Sequence, residues 1–324
     1  MRLLASSLYL PRYVETNDTV IEYFEEQNVS MKAIQAQLGR VSRHVSRDAA
    51  EDNTLSMAVA AAEGAVKSSG LTIADIDMIL FVTSTPEQLV PCGAMLIHDA
   101  LKGAPHTMCY DLNANCIGTF IALQQAAMFL SGNKRAQRAM VVSSEHFSRV
   151  VDAGHPVTAF CFTDSAFAFI LDKDGSDSGY IDSRFRTDPS FKDTIVFPKG
   201  GYSYCNTVEP RIFWSEFDGR GSVEFMHEEL ELFLAQHGLT INDISLFLFS
   251  QFSYKNISLI RDHFDIPEEK IPLVCYEIGY TGASSPLVTL HEHIRKGNVV
   301  NKGDYLLIWT LGAGYQAGMM LWKY

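Results

Sequence analysis

The alternation of apolar and polar positions repeats along the chain. Residues 70–84 read GLTIADIDMILFVTS and residues 238–250 read GLTINDISLFLFS, so each copy carries G-L-T-I-x-D-I followed by an apolar run of strand length. A run with helical spacing precedes each copy, over residues 55–69 and 223–237. A glycine stands where each of these helices would end. Two blocks matched in this way predict two copies of one supersecondary plan.

The matched order of elements continues downstream of both copies. Segment 108–132, MCYDLNANCIGTFIALQQAAMFLSG, predicts a strand, a tight elbow and an apolar helix, and segment 273–297, LVCYEIGYTGASSPLVTLHEHIRKG, predicts the same three elements. A further apolar strand follows each, at 139–145 and 305–312. Strands that are apolar throughout are buried on both faces, which is typical of α/β layering. We therefore predict two similar α/β halves with central helices between two sheets, and functional loops where their strand ends meet.

Length and composition fit this plan and exclude several classes of protein. The 324 residues are 47% hydrophobic and 20% charged, and the predicted halves are 1–175 and 176–324. A formal net charge of −12 argues against a nucleic-acid partner, because phosphate neutralisation needs a basic surface. No run reaches the roughly eighteen apolar residues of a membrane span, and proline and charge interrupt the N-terminal apolar run too early for a secretory signal. A cytoplasmic protein without a membrane partner is expected.

The cysteines are scattered rather than paired. They show no C-x-x-C motif and no dense spacing, so we expect reduced thiols rather than a disulfide framework, and no metal site. The six are Cys92, Cys109, Cys116, Cys161, Cys205 and Cys275.

Cys116 has the most informative position, at the head of the apolar helix predicted in 108–132. Unpaired backbone N–H groups and the positive end of the helix dipole would lower the pKa of a thiol there and would stabilise an oxyanion. Free cysteines are also among the most buried residues, so an apolar filler is the competing interpretation. The residues alone leave a nucleophile and a filler equally open.

The elbow around Cys116 resembles the active-site cysteine motif of β-ketoacyl-ACP synthase III, in the thiolase superfamily. The likeness extends over essentially the whole chain. AFCFTDSAFAFILDK at 159–173 is similar to the family's F-G-D-G-A-G-A turn, with Asp164 kept, and the terminus LGAGYQAGMMLWKY resembles G-G-G-F-x-W-G. The resemblance implies a duplicated thiolase-like fold in five α/β/α/β/α layers. It also implies that Cys116 is the nucleophile, with an oxyanion hole formed by the backbone N–H groups of Cys116 and Ala313.

The pair of side chains that usually accompanies this cysteine is replaced. The family's histidine heads H-Q-A-N, where this chain has SQFS with Ser250 first, and its asparagine belongs to G-N-T-S-A-A-S, where this chain has GYTGASS with Tyr280. Both hydroxyls can donate hydrogen bonds, so Ser250 and Tyr280 are candidate catalytic residues. General acid–base help contributes about 10²–10⁴-fold in rate, and its loss argues against efficient decarboxylative condensation. Self-acylation of Cys116 needs only the thiolate and the backbone oxyanion hole.

The resemblance also bears on the acyl donor, for which either acyl-CoA or an acyl-carrier protein is expected, with no further cofactor. A tryptophan and an arginine that clamp the adenine of coenzyme A in the family are replaced here by Ala33 and Gln37. Their loss favours an acyl-carrier protein. Lys255 keeps a basic residue where the family meets the acidic surface of that carrier.

Other residues are weighed as replacements for the missing base. His146, in SSEHFSR, and His155, in DAGHPVTAF, are candidates, although a lone histidine is more often structural. Glu87 is near the place of a catalytic glutamate in hydroxymethylglutaryl-CoA synthases, but Ser84 aligns with that position and the assignment to Glu87 is rejected. Phe252 is expected near the cleft.

The favoured interpretation is an acyltransferase that forms an acyl thioester on Cys116 and passes it to an acceptor, in fatty-acid-like or specialised metabolism. The acceptor is a hydroxyl, an amine, a thiol or a carbanion. Two alternatives stay open: a catalytically silent partner subunit of a complete synthase, and an unconventional decarboxylating condensing enzyme that uses Ser250 and Tyr280. A homodimer is expected, or a heterodimer if the silent-partner alternative holds.

Overall fold

A computed structural model describes residues 1–204, 211–215 and 219–324 of the chain. Cys205, one of the cysteines expected to be reduced, lies outside these residues. The other five cysteines are free thiols, as the sequence predicts. In the described part of the chain, no helix has both the length and the apolar character needed to cross a bilayer.

The described residues form thirteen strands. They are β1 Arg2–Tyr9, β2 Tyr13–Thr16, β3 Ser42–Val45, β4 Met78–Val82, β5 Met108–Leu112, β6 Arg138–Glu145, β7 Ser165–Asp172, β8 Gly179–Thr187, β9 Ile195–Val196, β10 Phe213–Trp214, β11 Ile244–Phe249, β12 Tyr305–Gly312 and β13 Gln316–Lys323.

The same residues form ten α-helices, with short 3₁₀ turns between several elements. The helices are α1 Asn17–Glu25, α2 Met31–Leu38, α3 Thr54–Ser69, α4 Gly93–Leu101, α5 Gly118–Gly132, α6 Pro156–Cys161, α7 Arg220–Gln236, α8 Tyr254–His263, α9 Cys275–Ile278 and α10 Ser285–Arg295.

Two large sheets share one pairing pattern. The first has the strand order β1-β7-β6-β4-β5, with antiparallel pairing from β1 to β7 to β6 and parallel pairing from β6 to β4 to β5. The second has the order β8-β13-β12-β11, with antiparallel pairing from β8 to β13 to β12 and a parallel pair of β12 with β11. The repeated supersecondary plan is therefore confirmed. The boundary between residues 175 and 176 stays a prediction.

Helices cover both faces of each sheet, so strands within the sheets are buried throughout. β4 and β7 are buried along their whole length. Helices α3 and α4 pack on the outer face of the first sheet, α5 and α10 lie between the sheets, and α7 packs with α8 outside the second sheet. Three apolar clusters fill the spaces between these layers. The order is α/β/α/β/α, as expected.

The repeated G-L-T-I-x-D-I blocks form the same local structure twice. Thr72 and Asp75 make a capping box around a 3₁₀ turn, in which the Asp75 carboxylate accepts from the Thr72 backbone N–H and hydroxyl at 2.8 and 2.7 Å. Thr240 and Asp243 repeat this arrangement, with both distances at 2.7 Å. Each box leads directly into a buried strand, β4 or β11. The local chemistry of the motif thus fixes how the chain enters one buried strand in each sheet.

The predicted strand at the start of segment 273–297 is wrong. The structure has the short helix α9 there, and Val274 and Cys275 both donate their backbone N–H groups to the Gln251 side-chain oxygen at 2.9 Å. A side chain thus takes up backbone donors that a strand would pair with a neighbour. The predicted elbow and helix that follow are confirmed as a 3₁₀ turn at Gly282–Ser284 and α10.

The elbow that carries Cys116 fits closely between other elements. A 3₁₀ turn at Asn115–Ile117 leads into α5, whose first residue is Gly118. A Cβ atom on Gly118 would lie 2.6 Å from a methyl carbon of Val82, at the end of β4. Only a glycine therefore lets α5 begin this close to the first sheet.

We expect Gly118→Ala to lower the free energy of unfolding by about 1–3 kcal/mol, since the added methyl overpacks the contact with Val82. Gly132→Ala is the matched control, because it lies at the other end of α5 and its Cβ would meet no atom within 4 Å. We expect that variant to be unchanged or more stable by up to about 1 kcal/mol. Denaturant unfolding measures both, and equal stability of the two variants would contradict the packing argument.

Candidate active site

A pocket of about 110 Å³ lies at the elbow, where loops of the two halves meet. Cys116 is part of its wall, together with Ala313 of the terminal glycine loop. The polar side chains of the wall are Ser84, Thr85, Asn113, Asn115, Cys116 and Glu145. Its aromatic side chains are Phe147, Phe162, Phe197, Trp214, Phe252 and Tyr280. The predicted convergence of strand ends thus produces a mostly apolar cleft around one half-buried thiol.

The terminal loop touches the cysteine turn directly. A Cβ atom on Gly312 would lie 3.0 Å from a methyl carbon of Ile117 and 3.1 Å from the Ala114 carbonyl oxygen. The Thr310 hydroxyl, on β12, donates to the Cys116 carbonyl oxygen at 3.2 Å. The second sheet therefore holds the turn on which the thiol is carried.

Ser250 and Tyr280 come together beside the thiol, as their candidate roles require. Their hydroxyl oxygens are 3.2 Å apart, and the Tyr280 hydroxyl also hydrogen-bonds the Cys116 thiol. Both side chains are buried, and Tyr280 has no exposed surface. Its backbone is held by Thr163, whose N–H donates to the Tyr280 carbonyl at 3.0 Å. Ser250, Tyr280 and Cys116 therefore form a continuous chain of polar contacts that ends at the sulfur.

The expected lowering of the thiol pKa is wrong. Burial raises the pKa of Cys116 to about 11, and the nearby carboxylate of Glu145 raises it further. Hydrogen bonds from Tyr280 and from the Cys116 backbone lower it, but they do not outweigh the loss of water. Burial likewise holds the pKa of Tyr280 well above its usual value. The resting site therefore carries a protonated thiol and a protonated phenol at neutral pH.

A buried guanidinium supports the wall behind Tyr280. Arg40 has no exposed surface, and it donates to the carbonyl oxygens of Gln251 and Phe252 at 2.7 and 2.6 Å. Its guanidinium carbon lies 5.6 Å from the ring centroid of Tyr280 and 5.9 Å from that of Phe252. Contacts of this kind between a cation and an aromatic face are attractive. Arg40 thus orients two rings of the pocket, and it follows no motif that the sequence made conspicuous.

Two residues that the family motifs keep are structural here. Gln251 binds four groups through its side chain, donating to the Pro272 carbonyl and the Thr289 hydroxyl and accepting two backbone N–H groups of residues 274 and 275. Asp164 accepts from Ser46 and Ser148, which joins the loop after β3 to the turn after β6. Neither side chain is part of the pocket wall as described.

The aromatic side of the pocket was only partly expected. Phe252 is at the cleft, as predicted, and its ring stacks on Trp214 at 5.4 Å between centroids. The Tyr280 ring meets Phe252 edge to face at the same distance. Trp214 and Phe162 complete this wall and were not singled out from the sequence. Their aromatic character favours an apolar or flat acyl or acceptor group.

Glu145 is another site residue that sequence reasoning missed. It ends β6, is 2% exposed, and is the one carboxylate of the pocket wall as described. The backbone N–H and the hydroxyl of Ser84 donate to its carboxylate at 2.9 Å each, and the Thr85 hydroxyl donates at 2.8 Å. Burial raises the pKa of Glu145 to about 7 against these hydrogen bonds. An acidic residue at the end of AMVVSSE, a segment predicted to be a buried strand, was the available signal.

The other proposed bases are elsewhere. His146 is buried, and His155 precedes α6 with its ring 6.5 Å from that of Trp214; neither belongs to the described pocket wall. Glu87 is exposed and accepts from the backbone N–H of Thr54 at the start of α3, in keeping with its rejection.

The residues linked with the acyl donor lie on the surface. Ala33 and Gln37 are exposed on α2, and Lys255 is exposed on the first turn of α8. Their part in binding a donor stays a prediction. Across the described ranges there is no group of three or more metal-binding side chains close enough to hold an ion.

Comparison with known proteins identifies the family. The model of the 3-oxoacyl-[acyl-carrier-protein (ACP)] synthase III family matches residues 110–189, and the model of its C-terminal part matches residues 234–324. The beta-ketoacyl-[acyl-carrier-protein] synthase III of Chelativorans sp. (strain BNC1) is 31% identical over 323 residues, covering 97% of this chain and 96% of the relative. The chain belongs to this family of condensing enzymes. The matched range 110–189 contains Cys116 and Glu145.

Further relatives agree with this assignment. The synthase III of Hyphomonas neptunium is 30% identical over 319 residues, covering 97% of this chain and 96% of the relative. The crystal structure of 3-oxoacyl-[acyl-carrier-protein] synthase III from Aquifex aeolicus VF5 superposes with a TM-score of 0.86 at 26% identity, covering 100% of this chain and 99% of that one. The predicted thiolase-like fold and the resemblance to synthase III are confirmed.

We expect Cys116 to alkylate slowly with iodoacetamide. A thiol with a pKa of about 11 holds about two orders of magnitude less thiolate at pH 8 than a free thiol with a pKa of about 8.5. Tyr280→Phe should slow the reaction further, because it removes a hydrogen bond that lowers the thiol pKa. Peptide-level mass spectrometry measures the rate at residue 116.

The exposed Tyr276 on α9 offers the matched control, and Tyr276→Phe should leave the rate unchanged. Alkylation of Cys116 as fast as that of free N-acetylcysteine would contradict the raised pKa.

Proposed function

We propose that this protein is a synthase-III-like acyltransferase, in which Cys116 takes an acyl group from a thioester donor and passes it to an acceptor. The observation that carries the proposal is the pocket itself. It places the thiol of Cys116, the hydroxyl of Tyr280 and the glycine loop with Ala313 around one apolar space. Membership in a family of condensing enzymes supports the same chemistry.

The first half of the reaction is an exchange of thiol for thioester. The sulfur of Cys116 bonds to the acyl carbon, the donor's carbon–sulfur bond breaks, and the proton of the Cys116 thiol leaves with the donor's sulfur. No net charge is created, so a thiol with a raised pKa is compatible with the exchange. The backbone N–H groups of Cys116 and Ala313 are the proposed donors to the acyl oxygen, and such donors contribute about 10²–10³-fold each.

The acyl donor and the oligomeric state are proposed by analogy with the family. The proposed donor is an acyl-carrier protein or acyl-CoA, with Lys255 near the docking surface of the carrier, and no additional cofactor. The proposed assembly is a homodimer, in a pathway of fatty-acid-like or specialised metabolism. The accessible pocket around Cys116 favours an enzyme over the silent-partner alternative, because a silent subunit has no chemical need for a pocket at its cysteine.

Incubation with straight-chain acyl-CoA and acyl-N-acetylcysteamine thioesters, followed by intact-protein mass spectrometry, tests the proposal. We expect wild type to gain one acyl group and Cys116→Ala to gain none. Cys92→Ala is the matched control, because Cys92 is also a half-buried cysteine at the start of a helix, α4. That variant should be acylated like wild type. The absence of an adduct on wild type, or an equal adduct on Cys116→Ala, would refute the acyl-enzyme.

Decarboxylative condensation is a second candidate because Ser250 and Tyr280 are hydrogen-bonded at 3.2 Å next to the thiol. Two hydroxyls so placed could donate to a thioester oxygen in the positions that the family gives to histidine and asparagine. Neither has a pKa near neutrality for proton transfer, and burial raises that of Tyr280 further.

Release of carbon dioxide from a malonyl thioester, measured with acylated wild type and with Ser250→Ala, distinguishes the two candidates. If decarboxylation operates, Ser250→Ala should reduce it by about 10-fold or more, because one oxyanion donor is lost. We expect instead that wild type releases carbon dioxide no faster than Cys116→Ala.

A further inference from the structure

Glu145 is a buried acid in the wall of the Cys116 pocket for which the first half of the reaction has no use. We propose that it is the proton acceptor of the second half, and that the acceptor substrate is a neutral hydroxyl or amine that attacks the acyl group on Cys116. This inference rests on the acyl-enzyme proposed above and adds the base and the class of acceptor.

The surroundings of Glu145 are those of a group that faces a ligand. Its three donors come from Ser84 and Thr85, in the loop after β4, and Glu145 also belongs to the wall of the cavity. Asp164 has as many donors, but they come from two segments that it joins, and its carboxylate belongs to no described pocket wall. The contrast separates a structural carboxylate from one that lines a reaction space.

Glu145 and Cys116 belong to the wall of the same pocket. The negative charge of Glu145 raises the pKa of the thiol. Across the same space, a Cβ atom on Gly282, in the turn before α10, would lie 3.6 Å from the Glu145 Cγ atom. An acceptor bound in this pocket against the acyl carbon would therefore share the space with the Glu145 carboxylate.

The two other titratable groups of the described pocket wall, Cys116 and Tyr280, do not compete with Glu145 for the proton at neutral pH. In the acyl-enzyme the Cys116 sulfur carries no proton, and the pKa of Tyr280 is held well above its usual value. Glu145 itself has a pKa of about 7, so about half of the molecules carry a carboxylate there at pH 7. Cys116 is on the elbow and Tyr280 precedes α10, and His146 follows Glu145 in the chain.

The charge of the pocket selects the class of acceptor. No lysine, arginine or histidine belongs to the pocket wall among the described residues. A malonyl carboxylate would find no cation there and would be repelled by Glu145 when that residue is ionised. A neutral alcohol or amine meets no such penalty, and it brings the proton that Glu145 can take.

The proposed step balances. The acceptor's oxygen or nitrogen bonds to the acyl carbon while its proton moves to the Glu145 carboxylate. The carbon–sulfur bond then breaks, and the Cys116 sulfur takes the proton back from Glu145 as the ester or amide leaves. Both residues return to their starting protonation states, and no oxidant, reductant or further reactant is consumed.

The test uses full-length acylated protein from which the donor has been removed. The protein is mixed with buffer alone, with benzyl alcohol or with aniline. Benzyl alcohol and aniline are neutral, apolar acceptors. Loss of the acyl group from Cys116 is followed by intact-protein mass spectrometry. Glu145→Gln keeps the size of the side chain and an oxygen for the Ser84 donors. We expect the acylation rate of this variant to be within about 3-fold of that of wild type. Its rate of acyl loss should be lower by about 10²-fold or more in buffer, in benzyl alcohol or in aniline. Glu231→Gln, on the exposed side of α7, should match wild type in both steps.

A pH profile separates a base from a structural support. The rate of acyl transfer by wild type should rise with pH, with a midpoint at about pH 7, because only the ionised Glu145 accepts a proton. Ser84→Ala removes a hydrogen bond that lowers the pKa of Glu145, so its midpoint should move upward. Glu145→Gln should lose the rise altogether.

The outcomes separate this inference from the proposed function. If wild type takes up no acyl group, the acyl-enzyme fails and the inference fails with it. If acylation is normal and Glu145→Gln loses its acyl group as fast as wild type in buffer, benzyl alcohol and aniline, the inference alone is overturned. Faster release by a malonyl thioester than by either neutral probe would also overturn it. Release as ester or amide, traced by mass to benzyl alcohol or to aniline, tells the hydroxyl and amine classes apart.

Discussion

Small residues allow three parts of the chain to approach within van der Waals contact at the reactive thiol, and the site depends on this closeness. Gly118 lies against Val82 at the end of one central strand, and Gly312 lies against Ile117 from the other sheet. The turn that carries Cys116 is therefore held by both sheets at once. Because close-packed interiors resist small displacements, the sulfur keeps its position relative to the glycine loop.

Much of the architecture was predictable because local and global patterns agree. The G-L-T-I-x-D-I blocks form capping boxes whose hydrogen bonds join residues three apart in sequence, so their structure follows from the sequence directly. The apolar runs after them become buried strands, as their composition predicts. The strand predicted at the start of segment 273–297 failed where a distant side chain intervenes. Gln251 binds its backbone donors, and no local pattern shows such a contact.

The candidate site shows the same division between local and tertiary information. Cys116, Ser250 and Tyr280 could be placed together because each follows a motif with a known position in the fold. The direction of the thiol pKa could not, because burial and a neighbouring carboxylate depend on parts of the chain far apart in sequence. Glu145 and Arg40 escaped notice since a charged residue in a sequence ordinarily indicates solvent. Their burial is visible only once the sheets are assembled.

Arg40 has a consequence for how the pocket responds to its surroundings. The planar guanidinium carries five N–H donors, so Arg40 can donate to the loop after β11 while it lies beside the rings of Tyr280 and Phe252. Its hydrogen bonds reach from the end of α2 to the loop after β11, two segments more than 200 positions apart. The aromatic wall is thereby tied to the end of α2, so a displacement of that helix would be passed on to the cleft.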